Sequence, residues 1–192
     1  DTLAASRQTG QALENRPVNA QTPVETAVTQ ALATFVVGST PDSIPEAVYT
    51  EATRTFLNWL GCAVGGATHP AIDIAWAAAK PFAGAAQATI LGRDIRTDVL
   101  HAALINGISS HGPVASGLLA LCEKMLAEGR VVSGREFLHA LILGIEVECR
   151  IGNSVYPQHY DRGWHITGTA GVFGAAAAAG KLLGLDAQQM TY

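Results

Sequence analysis

Ser133-Gly134-Arg135-Glu136-Phe137-Leu138-His139-Ala140-Leu141-Ile142-Leu143-Gly144-Ile145-Glu146-Val147-Glu148-Cys149-Arg150 is the stretch on which the fold class turns. Ser133 followed by Glu136 has the spacing of a capping box. The hydroxyl accepts from the third backbone N–H of a helix, and the carboxylate reaches back to the cap. Beyond it, Leu138, Leu141, Ile142, Ile145 and Cys149 recur three or four residues apart. That period places them on one face of a helix and on no face of a strand. Glu146 and Arg150, four apart, pair on the surface of the same helix. The spacing predicts a helix over residues 137–155.

The same period recurs on either side. Residues 165–183 read as a helix rich in Ala and Gly, closed by Gly184, and Asp186 caps a further one. Residues 99–111 and 113–128 read as two more, the second ended by Gly129. His69-Pro70 opens a helix through Ala79, which Pro81 closes. Val48, Ala52, Phe56, Leu60 and Ala63 or Val64 make a long apolar stripe that Gly65 and Gly66 stop. Ser43 with Glu46, or Asp42, is its expected cap. Val24, Val28, Leu32 and Phe35 start a helix at Pro23 that ends near Gly38. Residues 83–93, around Ala88-Thr89-Ile90, are the only strand-like segment. Residues 94–97 read as a turn, and residues 156–163 as a polar loop. Residues 1–22 carry no strong period and read as an irregular tail. The expectation is a mainly α, bundle-like domain over residues 23–192, with about seven helices and one short strand-like segment.

Composition bounds the function. Twelve Lys+Arg stand against 16 Asp+Glu, a formal net charge of -4, so no basic surface is concentrated for nucleic acid. The chain is 48% hydrophobic and only 15% charged, which excludes intrinsic disorder for its bulk. That balance also predicts an interface, with a partner domain or with a second copy as a homodimer. The apolar run from Ala170 to Leu185 is broken by Gly171, Gly174, Gly180 and Lys181, so no membrane span is expected. Cys62, Cys122 and Cys149 are widely spaced and lie in apolar helical patterns. They are expected to be buried free thiols, which suits a reducing compartment such as the cytoplasm. No phosphate-binding glycine loop, no paired-cysteine zinc site and no HExxH is present.

The histidines carry the remaining chemistry. His139 lies mid-helix among Leu138, Ala140 and Leu141 and reads as structural, as does His101. His165 differs: it sits in Gly163-Trp164-His165-Ile166-Thr167-Gly168-Thr169, at a predicted helix start that Thr167 or Thr169 can cap. Free backbone N–H groups there favour anions and keep an imidazole neutral, as a proton-transfer group requires. His111 closes Asn106-Gly107-Ile108-Ser109-Ser110-His111 at a helix end, where a cation is favoured.

Several segments, in unbroken order over roughly residues 26–192, resemble the MmgE/PrpD family. They are Phe56-Leu57-Asn58-Trp59-Leu60-Gly61-Cys62-Ala63-Val64-Gly65-Gly66, Ala88-Thr89-Ile90-Leu91-Gly92-Arg93, and Asn106-Gly107 with His111. Leu118 to Glu123, Gly163-Trp164-His165 with Thr167 and Gly171, and Gly180 to Asp186 continue the likeness. The resemblance implies a large helical domain beside a smaller α+β domain, and lyase or isomerase chemistry on small di- or tricarboxylates. Members dehydrate 2-methylcitrate, decarboxylate cis-aconitate or epimerise iminodisuccinate, with no metal and no organic cofactor. It implies His165 as a proton-transfer group, the catalytic residue, or a substrate ligand, with His111 and Thr167 at the substrate. It further implies a cytoplasmic enzyme, mitochondrial in a eukaryote, with no nucleic acid or membrane partner.

Two departures from the family pattern stand out. An acidic loop expected after His111 is missing, and His111 runs straight into Gly112-Pro113-Val114. Family members are also more than twice as long. These departures predict an interruption of the backbone between His111 and Gly112, a counterpart domain outside this chain, and little activity from these residues alone. A non-catalytic helical module for dimerisation or binding is the competing reading.

Overall fold

The computed structural model describes residues 23–192, with side-chain surroundings from residue 28 onward. The expected tail over residues 1–22 lies outside them. Nine α-helices, two short 3-10 turns (Pro41–Ser43 and Lys80–Phe82) and a two-stranded hairpin make up the regular structure of the described residues. The helices are α1 (Pro23–Gly38), α2 (Glu46–Gly66), α3 (Pro70–Ala79), α4 (Val99–Ser110), α5 (Pro113–Ala127), α6 (Gly134–Val155), α7 (Gln158–Asp161), α8 (Ile166–Leu183) and α9 (Ala187–Thr191). The class is mainly α, as the periodicity requires.

Local chemistry sets many of these boundaries. Both halves of the Ser133–Glu136 capping box form, and Asp186 with Gln189 makes the same arrangement at α9. The His69 side chain accepts from the Ala71 N–H at the head of α3. Gly184 takes φ 73° at the end of α8, a left-handed conformation that costs glycine nothing.

Four expectations are corrected. Residues 95–97 are not a turn. Strand β2 (Ile95–Thr97) pairs antiparallel with β1 (Ala88–Ile90), Thr89 opposite Arg96, so there are two strands where one was expected. Its sequence is too short to show alternation; the pairing holds because Ile90 and Thr97 are buried. Ser43 does not cap α2. It belongs to a single 3-10 turn (Pro41–Ser43) whose cap is Thr40, and α2 starts after Pro45 with no side-chain cap. Residues 156–163 contain the short helix α7. The cysteines are not all buried: Cys62 and Cys149 are exposed and only Cys122 is partly covered.

The helical stripes are also rotated from their expected settings. In α1 the buried residues are Ala33 and Val36, while Val28 and Phe35 are exposed. In α2 they are Tyr49, Ala52, Trp59 and Ala63, with Val48 exposed. Helix α6 is covered on a much wider arc, by Ala140, Leu141, Leu143, Gly144 and Val147. It forms the centre of the bundle.

Glycines let the central helices approach closely. A Cβ at Gly144 of α6 would lie 2.7 Å from the Gly174 carbonyl oxygen of α8 and 2.8 Å from Ala178 Cβ. One at Gly171 would meet Pro113 at the head of α5 at 2.5 Å. Such contacts are far inside van der Waals separation, so only glycine allows α8 to lie against both α5 and α6. Helix α8 is long and apolar enough, by length and composition alone, to cross a membrane, contrary to the expectation that no segment reaches that limit. In the fold its Ala170, Gly174, Ala177, Ala178 and Leu182 are buried against neighbouring helices.

The backbone is not interrupted between His111 and Gly112. His111 adopts φ 58°, ψ 31°, and Gly112 follows with φ -134°, ψ 92°. The left-handed histidine turns the chain directly from α4 into α5, its N–H donating to the Gly107 carbonyl at 2.8 Å. One left-handed residue and one glycine suffice to join the two helices.

Candidate active site

Two helix ends bring the two singled-out histidines together. His111 is the last residue of the α4 turn, and His165 is the residue before α8. Their rings meet edge to face with centroids 5.1 Å apart. Tyr160 of α7 also stacks edge-on against His165, at 5.7 Å. A non-glycine residue with positive φ is strained and persists where its surroundings hold it, often at functional sites. His111 is the only such residue among the described ones.

His165 itself is exposed and its side chain does not cap α8. Neither Thr167 nor Thr169 is the cap expected from the sequence, because both lie inside the helix. The Thr169 hydroxyl turns back to the His165 carbonyl and lies 2.7 Å from His159 Nε2. The first N–H groups of α8 therefore receive no side-chain cap from His165, a setting that favours an anion.

A cleft of about 300 Å³ opens beside this cluster. Its walls come from α2 (Asn58, Trp59), the α4–α5 turn (Ser110, His111), α6 (Glu148) and α8 (Thr167). A second, shallower hollow of about 520 Å³ lies on the other side of the turn, and His111 and Thr167 line both. Of the three site residues expected from sequence, His111 and Thr167 line the cleft, whereas His165 lines neither hollow and touches only the His111 ring beside them.

The site also holds residues that the sequence reading passed over. Trp59 is 7% exposed, and its indole N–H is buried with no acceptor. Its ring edge lies against Gly112, where a Cβ would sit 2.9 Å from Nε1. Tyr160 and Glu148 are the others. The density of Tyr156, His159, Tyr160, Trp164 and His165 in ten residues was the available signal for Tyr160. Glu148 had one as well: three residues after Ile145 and seven after Leu141, it is a carboxylate at the edge of the expected apolar stripe of α6.

Burial raises the Glu148 carboxyl above its usual range, with no cation to oppose it. His139, read as structural, is 3% exposed with Nε2 2.9 Å from the Ser39 hydroxyl. Its pKa is lowered by burial and then by Lys181 and Arg135. His101 is held by Asp98, which caps α4 and lies 2.6 Å from His101 Nδ1. Among the described residues no group of three or more His, Cys, Asp or Glu side chains is arranged to hold a metal ion.

The sequence model of the MmgE/PrpD N-terminal domain matches this chain over residues 30–113 and 108–192, two pieces that meet at the α4–α5 turn. The chain is 30% identical over 178 residues to the cis-aconitate decarboxylase-like protein oryM of Aspergillus oryzae, covering 83% of this chain and 37% of that protein. It is 29% identical over 177 residues to human cis-aconitate decarboxylase, covering 83% of this chain and 37% of the human one. Against the cis-aconitate decarboxylase of Aspergillus terreus it is 25% identical over 189 residues, covering 90% and 39%. The chain thus spans well under half the length of the curated relatives it matches.

Proposed function

The chain belongs to the MmgE/PrpD family, and from that premise we propose that it forms the helical part of a lyase acting on a small di- or tricarboxylate by proton transfer next to a carboxylate. The observation that carries this reading is the meeting of His111 and His165, 5.1 Å apart, beside a cleft. Of the family's reactions, decarboxylation of cis-aconitate is favoured, because the named relatives are cis-aconitate decarboxylases. Dehydration of 2-methylcitrate and epimerisation of iminodisuccinate are the alternatives within the same chemistry.

Loss of CO₂ leaves an electron pair on the carbon that bore it, and that carbon must then take a proton. In this proposal His165 delivers the proton. Its exposed ring is oriented by His111 and Tyr160 and can be reloaded from water. His111, Thr167 and the first N–H groups of α8 hold a substrate carboxylate, where charge builds up in the transition state. No metal or organic cofactor enters the scheme. The protein acts as a homodimer in the cytoplasm, without nucleic acid or membrane.

A second reading is a non-catalytic helical module. It is favoured by the direct His111–Gly112 link, which leaves no acidic loop beside the histidines. One assay separates the two: incubate the purified protein with cis-aconitate, 2-methylcitrate and iminodisuccinate and follow each by mass. Release of CO₂ from cis-aconitate, lost in His165→Asn, supports the lyase. A folded protein that consumes none of the three supports the module.

A further inference from the structure

Among residues 28–192, carboxylates fall into two groups. Some lie exposed to water, as Asp42, Asp94 and Asp161 do. The others are engaged by a cation or a hydrogen bond. Glu46, Glu51, Asp73, Glu128 and Glu146 pair with Arg or Lys, and Asp98, Glu123, Glu136 and Asp186 accept hydrogen bonds. Glu148 belongs to neither group. It is half-buried, lines the cleft with His111 and Thr167, and has no hydrogen-bond or ion-pair partner among the described residues. Its carboxyl has only the cleft, and what enters the cleft, to bond to.

Its place is made by α8. A Cβ at Gly174 would lie 2.9 Å from Glu148 Cβ, and one at Gly171 would lie 3.4 Å from Glu148 Oε1. Two glycines, one turn apart, therefore leave room for this side chain beside Pro113. No lysine or arginine lines the cleft. An anionic ligand seated there needs neutral or histidine donors instead.

We propose that Glu148 is a ligand-binding residue of this cleft, donating its carboxyl O–H to a carboxylate oxygen of a di- or tricarboxylate that also reaches His111 and Thr167. The ligand class rests on the reading under Proposed function; the role of Glu148 goes beyond it. An acid–carboxylate O–H···O⁻ bond is short and charge-assisted, among the stronger hydrogen bonds open to a cleft without basic side chains. The same carboxyl, ionised, would repel the ligand. Binding therefore takes up a proton at Glu148. Burial already favours the protonated form, and the charge of the ligand favours it further.

The titratable groups around Glu148 are few. Cys62 comes from α2, His111 from the α4–α5 turn, and Glu146 and Cys149 from α6 itself, with Glu146 held by Arg150. Helix α8 presents Thr167, Gly171 and Gly174, and α5 presents Pro113 and Val114, none of which titrates. A difference between the wild type and a variant at this one position isolates Glu148 from the histidine.

The test is calorimetric titration of the intact protein with propane-1,2,3-tricarboxylate, in two buffers of different ionisation enthalpy, between about pH 5 and about pH 8. The wild type is expected to take up close to one more proton per ligand than Glu148→Gln. Its Kd should rise about tenfold per pH unit on the alkaline side, beyond any slope the variant shows. Glu148→Gln keeps a donor of the same shape and should bind within about threefold of wild type at the acid end. Glu148→Asp, the second variant, should keep the proton uptake with weaker binding. Equal proton uptake and equal pH slopes in wild type and Glu148→Gln would overturn the role of Glu148 alone. A wild type that binds no tricarboxylate at any pH would overturn it together with the carboxylate reading of the cleft.

Discussion

Substituting Gly144 by alanine tests the contact that holds the site together. In an exposed helix interior the change should stabilise by about 0.5–1 kcal/mol, since alanine loses less backbone freedom. Here the new methyl would sit 2.7 Å from the Gly174 carbonyl oxygen, 2.7 Å from Val114 Cγ1 and 2.8 Å from Ala178 Cβ. Ordinary contact begins near 3.4 Å, so α6 and α8 must separate by about 0.7 Å or the methyl must be absorbed by strain. The valine could rotate away, but the carbonyl belongs to the backbone of α8 and cannot. Overpacking of this kind costs about 1–3 kcal/mol, and the backbone contact places it in the upper part of that range. Subtracting the helix gain leaves a net loss of about 1–2 kcal/mol, or about 3–6 °C in Tm for a chain of this size. Thermal and urea unfolding followed by circular dichroism at 222 nm measures it. Gly61→Ala is the control. Gly61 lies mid-helix in α2 with nothing within 4 Å of its absent Cβ, so its alanine should raise stability. A Gly144→Ala protein as stable as wild type would refute the close-packing account of α6 and α8. The separation also moves Glu148 and Thr167 apart, so tricarboxylate affinity should fall with stability.

Other expectations follow from single side chains. His165→Asn should lower turnover by about 10² to 10⁴-fold with the helical dichroism intact, because the ring is exposed and its side chain does not cap α8; turnover near wild type would remove the catalytic role. His139 is held neutral, its pKa below the ordinary 6.5, so the unfolded chain binds the proton first. Stability is therefore full above about pH 6.5 and declines as pH falls below it, and His139→Gln should flatten that decline in urea titrations. Burial pushes the Cys122 thiol up to about 11, and Cys149 is raised as well, so a thiol reagent at neutral pH should label exposed Cys62 first and Cys122 last. Asn106 is 1% exposed, accepts from the Leu91 N–H and donates to the Thr89 carbonyl, each at 2.9 Å, tying α4 to the hairpin. Asn106→Leu should cost about 1–3 kcal/mol by orphaning those backbone groups, read as a lower urea midpoint.

What the sequence determined by itself is local. The Ser133–Glu136 box, the Asp186 cap, His69-Pro70 and Gly184 set helix ends because each acts within one turn, where neighbours in the chain are neighbours in space. The mainly α class follows from a period that only a helix turns into a face. Three of the candidate site residues were also legible, because His111 and His165 mark a helix end and a helix start and Thr167 follows in the same turn. What the tertiary structure alone decided is which arc of each helix is covered, and what meets across the gaps. Val28 and Phe35 lie outside the covered arc of α1, whose contacts run through Ala33 and Val36. Cys62 and Cys149 are exposed in spite of their apolar neighbours, since the covered arcs of α2 and α6 run through Trp59 and Ala63 and through Leu143, Gly144 and Val147 instead. The hairpin partner Ile95–Thr97 is three residues long, too short for alternation to show, and is fixed by burial. The approach of His165 to His111, and the isolation of Glu148 between them and α8, depend on glycines at 144, 171 and 174 that let three helices touch. The sequence shows those glycines, but not which backbone each will meet, because that contact joins residues far apart in the chain.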